Sequence, residues 1–319
     1  MSPTFLVTGS SGFVGSQLCC YLENLGHTVW GIGRRDLVGT TYRYIRHDLT
    51  QPLSLAFKPD VVIHAAALSS PWGSRQTFER NNVLATQNVI NFCKQTSAKL
   101  VYISSSSVYY KNEHQLDITE QTPLPEKAIN LYAATKRKAE ELVREYSCDW
   151  LILRPRAVFG PEDTVLSPRI LRAAKAGRLP LLKSKDGPVL GDLIYIETLC
   201  DYIAKASLGS NITGEFNLTN NQPVVMLEFL LDIFKQLGLP EPKRTVPVER
   251  AMLIAGVLEN VYTFLPGREP PITRFGVSVF AYSKTFDVGK TLKTLGDPKI
   301  SLEEGKRRFV SWVKQQSSV

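Results

Sequence analysis

FLVTGSSGFVG, residues 5–15, decides how the rest of the chain is read. A short apolar run enters three glycines, Gly9, Gly12 and Gly15, and a helical pattern follows over 13–25. Strand, glycine turn and helix in that order give G-x-x-G-x-x-G a physical use. Gly9 permits the tight turn, Gly12 lets backbone approach a pyrophosphate, and Gly15 lets the helix lie close to its sheet. The helix N-terminus then offers free N–H groups and the positive end of its dipole to phosphates.

Outward from this turn, short apolar runs alternate with helical patterns. FLVT (5–8), TVWGI (28–32), DVVIHA (60–65), KLVYIS (99–104) and WLILR (150–154) read as strands. Residues 13–25, 76–96 and 130–147 carry apolar side chains three or four apart and read as helices. The alternation predicts an α/β fold, a Rossmann-type doubly wound parallel sheet covered on both faces. Beyond Arg154 the pattern loosens. DLIYI (192–196) and EFNLT (215–219) read as further strands, and 197–208 and 301–316 as helices. The expected organisation is a dinucleotide-binding unit over 1–165, to which 189–219 returns. A smaller, mixed substrate-binding lobe spans 166–188 and 220–300, and a C-terminal helix lies in 301–319.

The second strand closes as VWGIGRRD. Where an NAD-binding sheet places an acid for the ribose hydroxyls, this chain has Gly33, then Arg34 and Arg35. A missing carboxylate beside a guanidinium suits a 2′-phosphate, so NADP is expected, with NAD the alternative if Asp36 supplies the acid.

Bulk properties narrow the function classes. The 319 residues carry a net charge of +8, with Lys and Arg dispersed along the chain. That distribution favours a phosphate-bearing cofactor over nucleic acid. The five cysteines form no C-x-x-C pair and the four histidines have no metal-ligand spacing, so no metal is expected. No run reaches the length of a membrane span, and the thiols suit a reducing cytoplasm.

Two further stretches carry chemistry. ISSSSVYY (103–110) closes an apolar run with four serines. NLYAATKRKAEELVREY (130–146) is a strong helix former with Tyr132 and Lys136 one turn apart on one face. Of 12 tyrosines only Tyr132 has a lysine four residues on. A free phenol has a pKa of about 10. A nearby ammonium is expected to lower it, so that Tyr132 trades a proton as hydride arrives or leaves.

Taken as an ordered set, these motifs resemble the extended branch of the short-chain dehydrogenase/reductase superfamily, the NAD-dependent epimerase/dehydratase family. The resemblance runs through HAAA (64–67), NVLATQNV (82–89), SSSSVYY (104–110), YAATK (132–136), LRPRAVFGP (153–161), GDLIYIETL (191–199) and FNLT (216–219). It implies catalytic Ser105, Tyr132 and Lys136. Ser105 would polarise a substrate carbonyl and Lys136 would also hold the nicotinamide ribose. Ser104 would satisfy its own strand end, and Ser106 and Ser107 stay open between pocket lining and filler. Cofactor contacts implied are Ser11, Phe13 and Val14 at the phosphate turn and Asp48 and Leu49 near adenine. Ala65, Ala66 and Ala67 would flank the cofactor, and Pro155 and Val158 would meet the nicotinamide. His64 is read as a satisfied strand-end residue. Tyr110 departs from the glycine common in relatives. Dimerisation through the Tyr132 helix is a further family trait.

The second half discriminates among reactions. Many sugar-nucleotide enzymes have Arg-Asp where this chain has Gly191-Asp192, so the cation that grips a diphosphate is absent. FGPEDTVLSPRIL (159–171) and residues 250–277 resemble the 3β-hydroxysteroid dehydrogenase-like branch. Residues 251–265 place Ile254, Val257, Leu258, Val261 and Leu265 on one helical face. That face reads as core, as a greasy substrate wall or lid, or as a membrane-surface contact. The expectation is an NADP-dependent oxidoreductase for a secondary alcohol or ketone of a hydrophobic, steroid-like or alkyl substrate. A nucleotide-sugar epimerase, dehydratase or reductase is the alternative, and a cofactor-binding protein without turnover is third.

Overall fold

The computed structural model describes residues 2–163, 167–177, 179–242, 244–265 and 267–316. Seven strands form one parallel sheet: β1 Thr4–Thr8, β2 Thr28–Gly33, β3 Arg43–Arg46, β4 Val61–His64, β5 Lys99–Ile103, β6 Trp150–Pro155 and β7 Gly214–Leu218. Their spatial order is β7-β6-β5-β4-β1-β2-β3. The order reverses between β1 and β4, and in such sheets ligands bind at that crevice, beyond the carboxyl ends of the strands. β3 escaped the sequence reading. RYIR is an edge strand whose two arginines stay exposed, so it lacks the apolar run that marks its neighbours.

Both faces of the sheet are covered, which is why its strands read as apolar runs. On one side Leu18, Leu22, Leu199, Ile203 and Phe309 pack against β1 and β6. On the other, Val89, Phe92, Ala139 and Val143 pack against β4 and β5. The Leu131–Arg144 helix is capped by Asn130, whose Oδ1 accepts from the Ala133 N–H at 2.8 Å. The Phe13–Asn24 helix has Gly12 at its N-cap and no side-chain cap.

Three expectations are corrected. The helix expected over 76–96 is interrupted by a wider π-helical turn at Glu79–Leu84, which aims Asn82 inward. DLIYI is not a full strand. Only Ile194–Tyr195 pairs, with Val158–Phe159, and a helix starts at Ile196. The helix Val248–Thr263 buries Val248, Ala251 and Ala255, while Ile254, Val257, Val261 and the following Leu265 are exposed. Small residues, not the branched stripe, face the core, so the core reading of that stripe does not hold.

The irregular region resolves into a second sheet, Val224–Val225, Leu190–Gly191, Lys284–Phe286 and Gln115–Ile118, with mixed strand directions. Its central strands pair Gly191 with Lys284, and Gly191 lies beside the side chain of Arg156, one residue past β6. The Leu302–Gln316 helix buries Leu302, Phe309 and Val313 as its apolar face predicts. No helix among the described residues is long and apolar enough to cross a membrane.

Candidate active site

The glycine turn is built by close approach. Gly9 has φ +74°, and a Cβ there would lie 2.7 Å from the Ala66 backbone. A Cβ on Gly15 would lie 2.3 Å from the Gly9 carbonyl. Gly12 closes the turn with its N–H to the Gly9 carbonyl at 2.9 Å. Phe13 turns its ring into the core and Val14 packs beside it, so at the turn these two offer only backbone. The uncapped helix end and the glycine cradle fit a pyrophosphate. Ser11 lies partly exposed at this turn.

Next to the turn is a cleft lined by Gly9, Gly33, Arg34, His47, Asp48, Leu49, Thr50, Ala67 and Asn81, among others. Asp48 accepts from the Thr50 N–H at 3.0 Å, and that bond holds its carboxyl below the usual range. Leu49 is fixed through its carbonyl by Asn88 at 2.8 Å. A side chain on Gly33 would have to displace its neighbours: a Cβ would meet Ser11 Oγ at 2.6 Å and the Tyr44 hydroxyl at 2.7 Å. Asp36 instead pairs with Arg46 at 2.9 Å on the surface. Arg34 stands at the rim and donates to the neutral Asn81 Oδ1 at 2.9 Å. His47, Thr50 and Asn81 line this cleft without having been singled out in the sequence: His47 and Thr50 lie in a loop with no periodic signal, and Asn81 lies on the π-helical turn, where the ordinary helical period does not hold.

The serine run divides its work. Ser104 donates to Glu140 Oε1 at 2.6 Å, while its N–H continues the ladder to the Leu153 carbonyl. Its hydroxyl thus ties the strand end to the Tyr132 helix, rather than only closing its own strand. Ser105 has extended backbone and its Oγ accepts from the Ser107 N–H at 3.2 Å. Ser107 Oγ meets Ser105 Oγ at 2.9 Å, and Ser106 Oγ meets the Tyr110 hydroxyl at 3.0 Å. The Ser105 and Ser69 side chains flank the Tyr132 phenol, and both favour its ionised form. Ser69 was missed because it lies in an irregular loop.

Lys136 is 2% exposed and donates to the Ile103 carbonyl at 2.7 Å, with its ammonium 4.6 Å from the Tyr102 ring centre and 6.0 Å from that of Tyr132. Burial brings its pKa down to about 7. The pKa of the Tyr132 phenol is raised, not lowered: burial dominates, and the Ser105 and Ser69 side chains pull against it. The expected lowering by an ammonium fails because the lysine is itself desolvated, which disfavours its charged form. Behind the pair, His64 is buried between Thr8 Oγ1 at 2.7 Å and Thr86 Oγ1 at 3.0 Å, and desolvation holds its pKa near 3. It is a satisfied strand-end residue.

The Tyr132 helix is pinned from two sides. Glu140 is fully buried and accepts from Arg154 Nε at 2.8 Å and Nη2 at 2.6 Å. Asn82 donates to Thr135 Oγ1 at 3.0 Å and accepts from the Leu68 N–H at 2.7 Å, joining the helix to the loop that carries Ser69. Ala65 and Ala66 lie against Gly9, and Ala67 lines the cleft. Pro155 is buried at the end of β6, and Val158 lies in the short ladder to Ile194.

A doubly wound sheet with a glycine turn at its switch point, joined to a part-buried Tyr132 and a buried Lys136 one turn on, defines a nicotinamide-dependent oxidoreductase. The chain belongs to the NAD dependent epimerase/dehydratase family, which matches residues 5–217. It is 32% identical to the 2-alkyl-3-oxoalkanoate reductase of Stenotrophomonas maltophilia, over 95% of this chain and 97% of that protein. It is 33% identical to a decarboxylating sterol-4-alpha-carboxylate 3-dehydrogenase of Schizosaccharomyces pombe, over 97% and 96% of the two chains. Among solved structures, MoeE5 in complex with UDP-glucose and NAD aligns with a TM-score of 0.75 at 25% identity, covering 98% of this chain and 99% of that one.

Proposed function

We propose that the protein is an NADP-dependent oxidoreductase acting on a secondary alcohol or ketone of a largely hydrophobic substrate. The observation that carries this reading is the convergence of Ser105 and Ser69 on the Tyr132 phenol, with Lys136 buried one turn away. When bound, the nicotinamide supplies or accepts the hydride. Ser105 orients the substrate oxygen, and Tyr132 donates the proton that the forming alkoxide needs. The raised pKa keeps that proton on Tyr132 at neutral pH, the form a general acid needs. Lys136 holds the nicotinamide ribose and, when protonated, stabilises the phenolate left behind.

Three observations support NADP. An acid at Gly33 would have to displace Ser11 and Tyr44, Asp36 is engaged by Arg46, and Arg34 at the rim makes its hydrogen bond to the neutral Asn81 amide. A hydrophobic substrate is supported by the two curated relatives, named for alkyl and sterol compounds, and by the absence of an arginine at Gly191. The apolar face left open on the Val248–Thr263 helix is compatible with a greasy substrate.

The test follows NADPH absorbance with alkyl ketones, 3-oxo acids, 3-oxosteroids and UDP-sugars. Tyr132→Phe is expected to lose about 10²- to 10⁴-fold in turnover, the usual contribution of a general acid, with NADPH binding retained. Near-normal turnover by Tyr132→Phe would overturn the proton-donor role. Epimerised UDP-sugar with no net NADPH consumption would overturn the substrate class.

A further inference from the structure

Arg156 is 4% exposed, and its Nε has no hydrogen-bond partner among the described residues. Buried guanidinium groups are ordinarily paired, because leaving such a charge uncompensated is expensive. Its backbone is fixed by an N–H bond to the Leu218 carbonyl at 3.0 Å, one residue past β6. The guanidinium lies over the Tyr110 ring, 5.3 Å from the ring centre. It also passes 3.6 Å from where a side chain on Gly191 would begin.

A second buried cation shares the ring. The Lys284 ammonium is 5.7 Å from the Tyr110 ring centre, the residue is 2% exposed, and its amine donates to the Glu113 carbonyl. The carboxylate that faces this pair is Asp192, and its Oδ2 accepts from the Phe286 N–H at 2.9 Å. Asp117 and Glu113 bear on Asp192 and Lys284 respectively, but both residues are exposed to solvent. The cluster also adjoins the reacting end. Ser105 lies beside the Tyr132 phenol, and the next residue, Ser106, bonds the Tyr110 hydroxyl beneath the guanidinium.

We propose that Arg156, supported by Lys284, is a specificity-determining residue that receives a carboxylate carried by the substrate. This rests on the reading of Tyr132 and Ser105 as the reacting end. The substrate class is then an oxo- or hydroxy-acid with an aliphatic body. The charge count selects a carboxylate over a diphosphate. Burial and Arg156 lower the pKa of Lys284 to about 8, and burial raises that of Asp192 to about 6, so at neutral pH both remain mainly charged. Two cations and one anion leave a single positive charge, which one carboxylate neutralises and a diphosphate exceeds. A guanidinium also offers paired N–H groups in the geometry that a carboxylate accepts.

The test is calorimetric titration of octanoate, octanamide and octyl phosphate into the protein saturated with NADP. Octanoate is expected to bind at least about tenfold tighter than the neutral amide, the return of a charged over a neutral hydrogen bond. Arg156→Gln should erase that preference, and Arg156→Lys should keep part of it. Cofactor fluorescence on each variant reports folding, and the wild-type comparison decides alone if a variant does not fold. Equal affinity for acid and amide, no binding of either, tighter binding of octyl phosphate, or an undiminished preference in Arg156→Gln would overturn the assignment. The measurement needs no turnover, so its failure is distinguishable from failure of the Tyr132 mechanism.

Discussion

Replacing Lys136 by methionine separates what the buried amine does for the reaction from its effect on the fold. Methionine keeps most of the apolar stem and removes the titrating head. Burial takes the lysine pKa from 10.5 to about 7. Between those values the unfolded chain holds a proton that the folded protein has released, so wild-type stability rises with pH across that window. With each pKa unit worth about 1.4 kcal/mol, the amine destabilises the fold by about 4 kcal/mol at pH 7 and about 2 kcal/mol at pH 9. Removing it also strips the Ile103 carbonyl of its donor at 2.7 Å. An unpaired buried acceptor costs about 1–3 kcal/mol. Cofactor-free Lys136→Met is therefore expected to be about 1–3 kcal/mol more stable than wild type at pH 7. That advantage should shrink by about 2 kcal/mol at pH 9, because only the wild type retains the titration. Urea unfolding of both proteins at the two pH values is the assay, with NADPH turnover expected to fall in the same variant. A variant less stable than wild type at pH 7, or a difference that does not move with pH, would refute the burial argument.

Arg34→Ala should weaken NADPH binding about 10- to 100-fold while NADH changes little, since a charge-assisted hydrogen bond to phosphate is removed. Fluorescence titration with both cofactors checks this, and equal losses would remove Arg34 from 2′-phosphate recognition. Glu140→Gln should destabilise the protein by about 3 kcal/mol, towards the low end for a broken buried pair, because Glu215 still meets Arg154 at 2.6 Å. An unchanged urea midpoint would show that the pair does not hold the Tyr132 helix in place.

The serine run shows how far sequence reasoning reaches. The family resemblance pointed to Ser105, which lies beside the Tyr132 phenol, but not to the uses of its neighbours. Ser104 serves Glu140, Ser106 serves Tyr110 and Ser107 serves Ser105. Those partners are chosen by how strand, turn and helix pack, and a run of identical residues carries no label for them. Tyr110 was legible only as a departure from the pattern of relatives. Its contact with Arg156 and Lys284 depends on a second sheet whose strands are too short to read.

By itself the sequence determined the parallel sheet, the glycine turn and the one-turn spacing of Tyr132 and Lys136. These depend on backbone geometry and side-chain period, which act over a few residues. Only the tertiary structure decided that Ser11 and Tyr44 crowd Gly33, that Lys136 titrates near neutrality, and that Arg156 lies buried with an unpartnered Nε. Steric exclusion and desolvation are properties of what surrounds a group, and here the surroundings come from segments far apart along the chain.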